Sequence, residues 1–159
     1  MNKFVFEAAD EAATERFGAA LAVVLPPGAV VALLGTLGAG KTRLVQAIAA
    51  ACGVRREDVV SPTFVLCQQY HGNRTINHLD AYRLRDVDEL RELGIEELFA
   101  SDAITIIEWA DRVADALPDE FLEVTIEVTG QTARRFIVRA VAGRYEPVIV
   151  ALARAASRQ

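Results

Sequence analysis

Val30-Val31-Ala32-Leu33-Leu34-Gly35-Thr36-Leu37-Gly38-Ala39-Gly40-Lys41-Thr42-Arg43-Leu44 is the stretch whose reading decides the fold. It opens with an unbroken apolar run, the pattern of a strand buried on both faces in a parallel sheet. Residues 42–51 are strong helix formers, and Gly53 follows as a stop. Between strand and helix, Gly35 to Thr42 has the spacing G-x-x-x-x-G-K-[ST] of a phosphate loop. Glycines let the backbone approach a phosphate without an intervening Cβ. Successive N–H groups then face inward, and the helix start adds partial positive charge. Lysine is a compact charge on a flexible stem, suited to reaching the β- and γ-phosphates, and the Thr42 hydroxyl suits Mg²⁺. Lys3 is the only other lysine; the rest of the 17 Lys+Arg are arginines. The expected nucleotide-binding segment is therefore Gly35, Thr36, Leu37, Gly38, Ala39, Gly40, Lys41, Thr42 and Arg43.

A phosphate loop that hydrolyses needs acids on the same sheet edge, to hold the metal and to orient water. Asp80 follows the strand-like residues 75–79, and Glu108 follows the apolar run 103–107. Both are candidate metal-side acids, together with Thr42, and Glu108 and Lys41 are the candidate catalytic pair. Ser61-Pro62-Thr63-Phe64 places two hydroxyls around a restricted backbone, the form of a nucleotide-sensing switch or of an ordinary turn. His78 reads as a packed histidine, and Trp109 as a contact to nucleotide or partner, or as core.

Working outward, residues 3–7 predict a short strand. Asp10 caps a helix to about Val24, with Phe17, Ala20, Leu21 and Val24 on one face. Pro26-Pro27-Gly28 ends it. Residues 64–70 and 75–79 form strands around a turn at 71–74. Asp86 and Glu89 form a capping box opening a helix that Gly94 closes, and a short helix occupies 111–116. Residues 122–129 alternate apolar and polar, which predicts an antiparallel strand wet on one side; 135–141 pairs back, and a helix from 146 ends the chain. The expectation is one domain, 1–159, of the α/β class, with a mixed sheet of parallel core and antiparallel flanking strands.

Composition narrows the field. Hydrophobic content of 52% and mean hydropathy +0.23 exclude disorder, while no apolar run is long enough to span a membrane. The N-terminus lacks a signal-peptide pattern, and Cys52 and Cys67 have no metal-type spacing; both thiols read as reduced, in a cytoplasmic protein. A net charge of −5 repels polyanions, so direct binding to DNA or other nucleic acid is not expected.

Taken together, Leu37-Gly38-Ala39-Gly40-Lys41-Thr42, Ser61-Pro62-Thr63-Phe64, His78-Leu79-Asp80-Ala81-Tyr82-Arg83-Leu84, Leu93-Gly94-Ile95-Glu96-Glu97 and Ile107-Glu108-Trp109 resemble the TsaE family, formerly called YjeE. Those are bacterial ATPases of tRNA threonylcarbamoyladenosine (t6A) biosynthesis. The resemblance spans roughly residues 28–110. It implies a three-layer phosphate-loop NTPase fold, ATP and Mg²⁺ as ligands, and slow hydrolysis without the partners TsaD and TsaB, with tRNA engaged indirectly through that complex. It also implies that Lys41 and Thr42 serve the phosphates and the metal, Asp80 the Mg²⁺ side, Glu108 the water, Ser61 and Thr63 the switch, and Trp109 the nucleotide or partner. The chain departs from the family pattern at Thr36, commonly acidic, at Arg43, commonly Thr, and at Ala81, commonly larger. Two other readings compete: a small-molecule kinase whose lid draws on Arg83, Arg85 and Arg91, and a nucleotide-gated binding module with negligible turnover.

Overall fold

In the computed structural model, the described residues are 2–60 and 67–156. Strand β1 (Lys3–Ala8) leads to helix α1 (Glu11–Val24), whose first turn is capped where Ala13 N donates to Asp10 Oδ1 at 2.8 Å. Strand β2 (Val30–Gly35) enters the glycine loop, and α2 (Lys41–Ala51) leaves it. The hairpin β3 (Cys67–His71) and β4 (Thr75–Asp80) is followed by α3 (Val87–Glu92), α4 (Ile95–Ala100) and β5 (Ile104–Glu108). A 3-10 segment at Ala110–Ala116 leads to β6 (Phe121–Val128), β7 (Arg134–Val141) and α5 (Glu146–Ala156).

Among the described residues these strands form one seven-stranded sheet in the order β1-β7-β6-β2-β5-β4-β3. Its core is parallel, with β2 between β6 and β5 and with β5 beside β4. The flanking pairs β1–β7, β6–β7 and β3–β4 are antiparallel, as the mixed-sheet reading expects.

The two faces are covered unequally. Val31, Leu33, Ile106 and Val124 share one apolar cluster with Phe17, Leu44, Ile48 and Ile149, placing α1, α2 and α5 on that face. Val30, Ala32, Leu79 and Ile107 point the other way and pack with Leu90, Ile95 and Val113. So β2, β5 and β4 are sandwiched between helices, the three-layer arrangement. α1 and α2 meet closely at Gly18, where a Cβ would stand 2.4 Å from Ala47 Cβ.

Four sequence expectations need correction. β6 does have a wet side and an antiparallel partner in β7, but its other neighbour, β2, runs parallel to it. Alternation reports one-sided burial, not the direction of both neighbours. Gly94 ends α3 but also starts α4: Glu97 N donates to Gly94 O at 3.0 Å, and Ile95 and Leu98 turn into the second cluster. No side chain caps this second helix, so no capping signal marks it. The capping box at α3 is half formed: Glu89 N donates to Asp86 Oδ1, while the Glu89 carboxylate accepts from Arg85 N rather than Asp86 N. The segment at 111–116 is 3-10, broken at Val113 (φ −129°).

Candidate functional site

The parallel strands β2, β5 and β4 end at one edge, and the polar residues of the site gather there. Asp80 and Glu108 are not beyond their strands, as expected, but are the last residues of β4 and β5 and lie side by side in parallel register. β4 is also more buried than its polar composition suggests. Asn77 is 1% exposed and His78 is fully buried, yet each is satisfied. Asn77 accepts from Gln69 Nε2 and donates to Thr105 Oγ1, and His78 contacts Tyr70 and Glu108. Buried amides and imidazoles are tolerable in a central strand when hydrogen-bonded in this way.

The loop from Gly35 to Gly40 wraps the start of α2. Gly40, at φ +103°, takes a left-handed backbone that a side chain would strain, and caps the helix without one. Lys41 is 5% exposed and turns back on the loop, its Nζ donating to Gly35 O at 2.8 Å and Thr36 O at 3.0 Å. The same ammonium lies 3.8 Å from the centroid of the Trp109 ring. Burial lowers the Lys41 pKa from its usual value, while Glu108, Asp80 and Asp111 act in the opposite direction. Two carbonyl oxygens and a π-face are what hold this buried ammonium in place.

Thr42 Oγ1 donates to the Glu108 carboxylate, 3.0 Å from each oxygen, joining the helix start to the end of β5. Glu108 is 3% exposed, and its Oε2 lies 2.5 Å from His78 Nε2. Asp80 Oδ1 accepts from Tyr82 N at 2.9 Å, a local turn that aims the following residues across the loop. The chain bends sharply at Trp109, which sits at φ +58° although it carries a bulky side chain. Trp109 thereby faces both Lys41 and Tyr82, whose ring centroid is 4.9 Å away.

Between these groups lies a cleft of about 500 Å³, with Gly38, Lys41, Thr42, Asp80, Glu108 and Trp109 in its wall. The structure thus brings together Lys41, Thr42, Asp80, Glu108 and Trp109. Leu37, which stands out from the loop at 78% exposure, and Arg43, which pairs with Glu11 of α1 at 2.6 Å, also line the cleft. Ser61 and Thr63 lie outside the described residues. For magnesium, no cluster of three or more His, Cys, Asp or Glu forms a cage among the described residues. A hydroxyl and two carboxylates at a phosphate loop nevertheless fit Mg²⁺, which keeps waters and takes its remaining ligands from phosphate.

Sequence reasoning missed two contributors. Tyr82 lines the cleft beside Arg83, a lid residue in the kinase reading, and only the position of Tyr82 just after Asp80 hinted at it. Arg134 reaches from β7 to donate from Nε to Ala39 O at 2.8 Å, bracing the loop from outside. No sequence signal marks a contact between residues so far apart.

Sheet order, glycine loop and strand-end acids define a phosphate-loop protein of the α/β class. The family model for "Threonylcarbamoyl adenosine biosynthesis protein TsaE" matches residues 8–136. A protein named tRNA threonylcarbamoyladenosine biosynthesis protein TsaE from Treponema pallidum (strain Nichols) is 36% identical over 125 residues, covering 79% of this chain and 92% of that protein. Its namesake in Bacillus subtilis (strain 168) is 37% identical over 129 residues, covering 80% of each. A crystal structure of Bacillus subtilis YdiB superposes with a TM-score of 0.80 at 28% identity, covering 96% of this chain and 95% of that one. The chain belongs to the TsaE family. Among the described residues, no helix is long and apolar enough to cross a membrane.

Proposed function

We propose that this chain, acting as one phosphate-loop domain in the cytoplasm, binds MgATP and hydrolyses it within tRNA t6A synthesis, together with TsaD and TsaB. The observation that carries the reading is that the buried Lys41, Asp80 and Glu108 and the half-buried Thr42 converge on one cleft. In this reading Lys41 leaves the carbonyls of Gly35 and Thr36 for the β- and γ-phosphate oxygens. Thr42 and Asp80 are the residues that would hold the metal, the Thr42 hydroxyl then giving up its hydrogen bond to Glu108. Magnesium, when bound, neutralises charge on the phosphates. Glu108 is then free to orient a water and take its proton as the γ-phosphoryl bond to ADP breaks. Trp109 and the loop exclude solvent from the lysine. Contact with tRNA runs through the partner proteins, consistent with the acidic chain.

The kinase reading draws its lid from three arginines, and one of them, Arg83, lines the cleft. Arg85 is paired with Glu89 and Arg91 with Asp88, both on the exposed surface. The deciding experiment is ATP hydrolysis by the full chain with and without TsaB, TsaD and tRNA. Turnover that rises with the partners is expected. Tight MgATP binding without turnover in either setting would make the chain a nucleotide-gated module instead.

A further inference from the structure

His78 and Tyr70 do not line the cleft, yet they stand directly behind its acid. His78 is fully buried, Tyr70 is 6% exposed, and both lie on the hairpin β3–β4. Tyr70 Oη is 2.9 Å from His78 Nδ1, and His78 Nε2 is 2.5 Å from Glu108 Oε2. The phenol has one proton and two acceptors within reach, His78 Nδ1 and Val60 O at 3.3 Å. Burial raises the Tyr70 pKa above its ordinary value, so the phenol keeps that proton. Delivered over the shorter contact, it leaves Nε2 as the protonated ring nitrogen, aimed at Glu108.

We propose that His78 is a positioning residue for hydrolysis: held by Tyr70 at Nδ1, it donates from Nε2 to Glu108 and keeps that carboxylate pointed into the cleft. The inference rests on the MgATP-hydrolysis reading and extends it to two residues that never touch substrate. Among the described residues, Glu108 has two side-chain partners, Thr42 and His78. Thr42 is the one that must turn to the metal when nucleotide binds. From then on, among the described residues, His78 is the side chain that still holds the carboxylate, and a loosely held acid loses rate far more than it loses affinity. A histidine that served packing alone would not need its second nitrogen on the acid that accepts from the Thr42 hydroxyl. The role requires no change of protonation; it is a matter of orientation.

The test compares wild type, His78→Leu, His78→Gln and Tyr70→Phe as full-length chains, with Glu108→Ala as reference. Calorimetry gives the MgATP dissociation constant, and steady-state hydrolysis with TsaB, TsaD and tRNA gives kcat. His78→Leu should bind MgATP within about threefold of wild type while kcat falls about ten- to a hundredfold, the range seen when a group orienting a functional ligand is lost. His78→Gln keeps an N–H donor near the former Nε2 and should recover most of that rate. Tyr70→Phe, which removes only a hydroxyl, should cost a few-fold in kcat. Wild-type kcat in His78→Leu, or a Gln variant as slow as the Leu variant, overturns the proposal. If His78→Leu does not fold, Tyr70→Phe decides, and wild-type kcat there refutes the relay. A wild type that binds MgATP without turning it over defeats the hydrolysis reading and this role with it. Turnover that is indifferent to both positions defeats only this role.

Discussion

The sheet has two halves of opposite character. In β2, β5 and β4, covered on both faces, the buried polar residues Lys41, Asn77, His78, Asp80, Thr105 and Glu108 collect on or beside the strands. In β6, β7 and β1, helices cover one face and water the other. There Phe17 stacks between Phe6 and Phe136, at centroid distances of 5.2 and 4.5 Å, on the dry side. On the wet side, Arg135 and Arg139 pair with Glu7, Glu127 and Glu123 across the strands. Buried charge costs stability and exposed charge pairs contribute little, so one half concentrates the candidate site while the other is built for packing.

Substitutions in each half can break that division. Glu108→Ala should lower turnover by about 10²–10⁴ while MgATP stays bound, and should cost about 1–3 kcal/mol of stability, because His78 Nε2 is left buried without its acceptor. A variant that unfolds instead would make Glu108 part of the scaffold. Phe136→Ala should show the reverse signature, losing about 3–5 kcal/mol in a denaturant melt while the folded fraction binds MgATP normally. Nucleotide affinity falling along with stability would couple the halves, most directly through Arg134 on the same strand.

Thiol labelling sharpens the contrast without mutation. Burial pushes both thiols up, Cys52 with a partial counter-effect from Arg74, so labelling should still accelerate at pH values above the ordinary thiol range. Cys67, half-buried on edge strand β3, should react about tenfold or more faster than Cys52, which is 1% exposed within the larger cluster. Equal rates would mean that the large cluster opens as readily as the edge of the site half. The smallest effect belongs to Arg139→Ala. Its pair with Glu123 is largely solvent-exposed and should be worth at most about 1 kcal/mol, less in high salt.

Local pattern made much of this legible. The passage from apolar run through glycine loop to helix, the alternation of 122–128 and the cap at Asp10 are each statements about neighbours in the chain. In each case a backbone constraint or a burial period leaves its mark on composition. Glu108 and Asp80 were legible as candidates because acids at the end of a buried strand have few other reasons to be there. What stayed hidden involves partners far apart in sequence. The second helix at Gly94 has no capping side chain, and Arg134 meets Ala39 only because β7 lies two strands from β2.

By itself, then, the sequence determined the class of fold, the glycine loop and the two candidate acids at the strand ends, since glycine spacing and hydrophobic period act over a few residues. The tertiary structure alone decided that β6 joins a parallel core to an antiparallel flank, and that Lys41 rests against Trp109. It also decided that His78 stands behind Glu108. Those arrangements depend on which strands become neighbours, and strand order is settled by packing the two apolar faces against their helices rather than by any single segment.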